Sequence, residues 1–314
     1  MNPAIPGLHH VTAIAGDPQQ NLAFYAGTLG LRFVKRTVNF DDPGTYHFYY
    51  GDGAASPGSI ITFFPWPGAP RGRRGAGLTT ATAFSVPDAS LRWWADRLRA
   101  AGVLIEGPAP RFEDRVIGFD DPDGLRIELV GVAEPDPRAP WAGGPVPAEH
   151  GIRGIHGVTV TENSADRTAE LLTETLGFRP SGESGNRLRF HAADAGPGAS
   201  IDLLHEPAAP RGIVAVGTVH HVAWRAPGDG EQERWRKAIA ALGTHITPIV
   251  DRCYFRSTYF REPGGVLFEI ATDGPGFTAD EPLESLGESL RLPPWLEARR
   301  AELEETLPAI EAPR

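Results

Sequence analysis

Cysteine is nearly absent: Cys253 is the single one in 314 residues. That excludes a disulfide framework within the chain and fits a reducing cytoplasm, the compartment expected here. No apolar run approaches the roughly 18 residues that a membrane span requires. The opening "MNPAIPGLHHV" has no basic stretch followed by an apolar one, so no secretory signal is expected. Positive charge is also scarce: 30 Lys and Arg against 40 Asp and Glu leave a net charge of −10. Such a balance argues against nucleic acid or an anionic membrane as partner, and leaves a homo-oligomer open. Turn formers are plentiful instead, with 37 Gly and 30 Pro. They point to many short strands rather than a helical bundle.

The stretch "LHHVTAI" at residues 8–14 returns as "VHHVAWR" at 219–225. It belongs to a longer repeat. Four strand-like runs begin at residues 7, 77, 154 and 218: "GLHHVTAI", "GLTTATAF", "GIHGVTVT" and "TVHHVAWR". An amphipathic helical stretch follows each and stops on Gly30, Gly102, Gly177 or Gly243, the residue expected just past a last helical turn. Asp17 and Ser164 are the expected N-caps of the first and third helices. Short alternating runs then read as strands, "LRFVKRTVNF", "TYHFYYGD" and "SIITFFPW" in the first unit, "HITPIV", "RSTYFRE" and "VLFEIATD" in the last. The fold class expected is therefore α+β, built from four β-α-β-β-β modules that must pair to enclose their sheet faces. The boundaries expected are two modules over 5–132, a proline-rich linker over 133–150, two modules over 151–275, and a helical tail over 276–314 that packs outside.

Laying the modules over one another isolates a chemical set. The second histidine of the doublet, His10 and His221, recurs only in modules one and four; module three has Gly157 there and module two threonine. The first of the pair recurs as His9, His156 and His220. In the last strands, Glu269 lies six residues after Pro263 and Glu128 six after Pro122, while Phe63 and Leu203 hold that offset from Pro57 and Pro197. His10, His221 and Glu269 thus form a candidate two-histidine, one-carboxylate set, which suits non-haem Fe(II) and leaves coordination positions open. Mn(II) accepts the same set. By strand alternation His9 and His220 face away from it unless a bulge re-aims them, and Thr12 shares the face of His10. Isolated strand histidines are more often satisfied structural groups, which is the plain reading of His156; Glu128 reads as structural too.

Taken together, "LHHVTAI", "VHHVAW", "DRCYFRSTYFREPGG" and "LFEIATDGPGF" resemble the vicinal oxygen chelate (glyoxalase/bleomycin resistance/dioxygenase) superfamily, and within it ring-cleaving dioxygenases of the hydroquinone type. The resemblance spans about residues 5–310. It implies metal ligation by His10, His221 and Glu269, and catalytic roles around the metal for His9, Thr12, His220, Arg252 and Tyr259. From the residues alone, Arg252 is equally readable as an ion-pair partner of Asp251. Because ligands come from modules one and four, those two modules should adjoin and enclose the metal, with two and three forming a second, metal-free sheet pair. The activity expected is extradiol-type cleavage of a hydroquinone or catechol, a small aromatic substrate, by Fe(II) and O2. A glyoxalase-like isomerase or lyase would call for a fourth protein ligand, for which Phe63 holds the matching offset. A metal-free binding protein would leave the paired histidines without a purpose.

Overall fold

The computed structural model describes residues 4–134, 136–192 and 198–311. Pro135 of the linker, Pro197, and the last three residues of the tail lie outside the described residues. Module one contributes β1 (Leu8–Ala15), β2 (Arg32–Asn39), β3 (Asp42–Gly51) and β4 (Ile60–Pro65). Module two contributes β5 (Leu78–Pro87), β6 (Ile105–Arg111), β7 (Asp114–Asp120) and β8 (Arg126–Val132). Module three adds β9 (Gly154–Glu162), β10 (Phe178–Ser184), β11 (Arg187–Ala192) and β12 (Ser200–His205). Module four adds β13 (Thr218–Ala226), β14 (Val250–Asp251), β15 (Arg256–Arg261) and β16 (Leu267–Thr272).

These strands form two curled eight-stranded sheets, ordered β14-β15-β16-β13-β1-β4-β3-β2 and β10-β11-β12-β9-β5-β8-β7-β6. Modules one and four therefore share one sheet, and modules two and three the other, as the placement of the histidines required. The seam of the first sheet is the antiparallel pair β1–β13, and that of the second is β5–β9. Each sheet takes one module from either side of the 133–150 segment, whose Arg138 reaches the carbonyls of Gly58 and Ile155 and the hydroxyl of Ser85.

Helices cover one face of the sheets. In α2 (Leu91–Ala100) Leu91, Trp94, Ala95 and Leu98 are buried, the 3.6-residue spacing of a single stripe. In α4 (Asp229–Ala241) Trp235 and Ile239 do the same, while the Gln232 amide donates to the carbonyls of Arg256 and Ile270. The other two helices are shorter than the pattern suggested. α1 (Pro18–Leu22) and α3 (Asp166–Glu170) each continue as a π-helical turn, closed by Leu29 N–H to the Phe24 carbonyl and Leu176 N–H to the Leu171 carbonyl. All four glycine stops adopt positive φ, between 71° and 77°. At Gly30 a Cβ would also lie 2.5 Å from Val146, so both conformation and space require glycine.

Asp17 caps α1 through the Gln20 N–H, but Ser164 does not cap α3. The cap position falls on Ala165, and Asp166 supplies the negative charge of the first turn instead. "HITPIV" is not a strand either. Pro248 cannot donate to a ladder, and only a bridge from Ile246 to Phe260 and the two residues of β14 remain. The tail runs back over the first sheet, where α5 (Arg300–Thr306) buries Leu303 and Leu290 bridges Arg36.

Candidate metal centre

The β1–β13 seam is irregular at two points. Register jumps between Leu8/His10 and between Thr12/Ala13, so His9 and His220 are the extra residues of two β-bulges. A bulge breaks the alternation that would turn the first histidine of each pair away. Both rings swing toward their neighbours: His9 Nδ1 lies 2.8 Å from His10 Nδ1, and His220 Nδ1 lies 2.8 Å from His221 Nδ1. Engaging each Nδ1 leaves the Nε2 atoms of His10 and His221 turned to the seam's centre, 3.3 Å apart.

Glu269 meets them there. It sits on β16 beside Ala223, two residues beyond His221, and is wholly buried. Its Oε2 lies 2.9 Å from His221 Nε2 and 3.4 Å from His10 Nε2. Its Oε1 accepts a 2.5 Å hydrogen bond from the Ser257 hydroxyl, which fixes the carboxylate plane. Burial opposes charge on this carboxyl, but the two imidazoles hold it well below the usual carboxylate range. Oε2 nevertheless accepts no hydrogen bond. Two ring nitrogens and an anionic oxygen converge on one point, an arrangement that a cation satisfies. His10, His221 and Glu269 fit a metal, and are the one such group among the described residues.

The three open onto a cavity of about 300 Å³. Its walls are largely aromatic, with Phe40, Tyr49, Phe64, Trp66, Phe255 and Tyr259 contributing. His220 lines it, with burial and His221 pushing its pKa down to about 3. His9 lies behind, against Phe255, and is likewise pushed down to about 3 by burial and His10. Both rings are therefore neutral at physiological pH. Burial lowers His221 too, against the pull of Glu269, which keeps an unprotonated nitrogen for a metal.

Arg252 and Tyr259 share the cavity wall, joined from Arg252 Nε to the phenol oxygen at 3.2 Å. Tyr259 pairs with Glu269 across β15–β16, and burial raises its phenol well above the ordinary value, so it stays protonated. The carboxylate paired with Arg252 is Asp41, at 3.0 Å, from the tip between β2 and β3; Asp251 instead accepts from the Cys253 N–H. Cys253 adopts φ 67°, a left-handed turn that separates Arg252 from Phe255 and lets both face the cavity.

Thr12 stands one layer further back, bonded to the Thr62 hydroxyl at 2.8 Å. Thr62 also meets His47 Nε2 at 2.8 Å, and His47 Nδ1 meets the Tyr49 hydroxyl at 2.9 Å. His47, Tyr49 and Ser257 were not among the residues expected from sequence. Their signal was phase: His47 and Tyr49 alternate along β3, as Ser257 and Tyr259 do along β15.

Register also corrects the module alignment. Two residues beyond His10, Thr12 pairs with Thr62, as Ala223 pairs with Glu269. The place matching Glu269 in module one is thus Thr62, not Phe63, because the preceding turn differs by one residue in length. In module three it is Asp202 rather than Leu203, opposite Thr159. In module two, Ala81 faces Thr159 as His221 faces Thr12, so alanine and not threonine holds the place of His221.

Residues 7–129 and 154–270 match the family Glyoxalase/Bleomycin resistance protein/Dioxygenase superfamily. The chain belongs to this superfamily. Among superfamily members it is 46% identical to "Putative ring-cleaving dioxygenase MhqO" of Bacillus subtilis, over 96% of this chain and 95% of that one. It is 33% identical to "Chlorohydroquinone/hydroquinone 1,2-dioxygenase" of Sphingobium indicum, over 96% of each. A crystal structure of "putative dioxygenase from Bacillus subtilis subsp. subtilis str. 168" superposes with a TM-score of 0.95 at 44% identity, covering 99% of both chains. Glyoxalase I of Zea mays shares the fold alone, at a TM-score of 0.64 and 16% identity, over 85% of this chain and 92% of that one.

Proposed function

We propose that this superfamily member is a ring-cleaving dioxygenase in which His10, His221 and Glu269 hold Fe(II), and which opens a hydroquinone or catechol with O2. The observation that carries the reading is the convergence of two imidazole nitrogens and one carboxylate oxygen at the end of an aromatic cavity. The relatives named for ring cleavage match over nearly the whole chain and agree with it. Bound Fe(II) would supply Lewis acidity and the one-electron steps that couple O2 to the ring. Mn(II) suits the same ligands.

The protein's own groups would bind and orient the ring. Neutral His220 at the cavity surface, or His9 behind His10, can relay a phenolic proton from one ring nitrogen to the other. Arg252 and the protonated Tyr259 point donors into the cavity, where they can hold a phenolate oxygen and stabilise oxyanion character as the ring opens. The aromatic walls exclude water and stack on the substrate. Thr62, at the place of a fourth ligand, has its hydroxyl engaged by Thr12 and His47. That argues for three protein ligands over the four of a glyoxalase-like site.

Oxygen consumption after anaerobic Fe(II) loading, with hydroquinone and with catechol, tests this directly. Uptake matched to a ring-opened product, and absent in His221→Ala, is the expected result. Stoichiometric metal without uptake from either substrate would overturn it. Parallel loading with Mn(II) identifies the working metal.

A further inference from the structure

The mouth of the cavity carries one cation and one anion. Asn39 at the end of β2, and Phe40 and Asp41 of the tip between β2 and β3, line the rim. The Asp41 N–H donates to the Asn39 side chain at 3.0 Å, which folds the tip. Phe40 packs edge-on against Trp295 of the tail, with ring centres 5.7 Å apart. From this tip Asp41 Oδ2 reaches Arg252 Nη2 at 3.0 Å. The Arg252 side chain is only 20% exposed, whereas Asp41 is 74% exposed. A mostly sheltered cation is thus covered by an anion that solvent reaches freely.

Other charges in the cavity do not alter this balance. His47 is held neutral by burial. Glu269 lies at the far end, and its charge is committed to the metal centre. Asp251 is turned onto the Cys253 backbone.

Resting on the function proposed above, we propose that Asp41 is a specificity-determining residue that makes the cavity reject rings bearing a carboxylate. With Arg252 paired, the mouth presents no net charge and admits neutral dihydroxybenzenes. A ring carboxylate that approaches Arg252 must displace Asp41 or sit beside it, and like charges repel at that range. Without the Asp41 charge, Arg252 keeps its Nε bond to Tyr259 but loses its anionic partner at Nη2, and a guanidinium so released is the group best shaped to take a carboxylate.

The test compares 1,4-dihydroxybenzene with 2,5-dihydroxybenzoate. Each is titrated anaerobically into Fe(II)-loaded full-length protein and binding is followed by quenching of tryptophan fluorescence, Trp66 being in the cavity wall. The quantity read is the ratio of the two affinities. In Asp41→Asn the ratio should move toward the carboxylate by at least ten-fold, and the gain should shrink in high salt. Asp41→Glu, which keeps the charge, should stay near wild type. Adding Arg252→Gln to Asp41→Asn should abolish the gain. An unchanged ratio in Asp41→Asn, or a gain that survives loss of Arg252, would overturn the proposal. The titration contains no oxygen and reads no turnover, so failure of charge selection at the mouth is distinguished from failure of ring cleavage at the metal.

Discussion

Glu128 and Glu269 hold matching places in the two sheets and meet opposite partners. Each lies beside an alanine of the seam, Ala83 or Ala223. Glu269 faces two imidazole nitrogens, while Glu128 receives both terminal nitrogens of Arg111, at 2.5 and 2.8 Å. Around Glu128 the ligand places are taken by Ala81 and Gly157, and Asp202 is claimed by Arg187 and Arg189. In the second sheet, guanidinium groups stand where the candidate metal ligands and their cavity stand in the first.

Arg111 should accordingly be structural. Arg111→Ala leaves the buried Glu128 charge unpaired and should cost about 3–5 kcal/mol in denaturant unfolding. Replacing both partners by apolar residues of similar volume, Arg111→Met with Glu128→Leu, should recover most of that loss.

Glu269→Gln preserves shape but removes the anionic ligand. Metal content after dialysis, read by elemental analysis, should fall below about one-tenth of the wild-type stoichiometry. Ser257→Ala, which removes only the hydroxyl that orients Glu269, should weaken metal affinity about 10- to 100-fold.

Thr62→Val would strand the Thr12 hydroxyl and one nitrogen of His47. Unpaired buried groups cost about 1–3 kcal/mol, which should appear as a lower melting temperature. Ring turnover should fall as well, because His47 loses the bond that sets its ring. Thr62→Ser should restore both.

Glu162 introduces a pH dependence far from the ligands. Burial and the neighbouring Glu262 raise its pKa from the ordinary 4.5 to about 8. Since the folded value is the higher one, the stability it confers is complete below pH 4.5 and is lost as pH rises through 8. Thermal unfolding from pH 5 to pH 9 should therefore show Glu162→Gln gaining on wild type as pH rises. The slope should be at most about 1.4 kcal/mol per pH unit.

The repeat, its glycine stops and the pair of histidine doublets were legible in the chain itself, because periodicity and helix termination are local. Local signals also singled out His10, His221 and Glu269, through a comparison of one module with another. The pairing of module one with module four followed from them. What strand alternation could not supply was the bulge at each doublet, which depends on how β1 and β13 meet and aims His9 and His220. Nor could spacing from a proline assign Thr62 and Asp202, since one residue more or less in a turn shifts every place after it. Arg252 found Asp41, 211 positions away in the sequence, instead of its neighbour Asp251. Partner choice for a long charged side chain is settled by which surfaces the sheet curls together, and that is a property of tertiary structure alone.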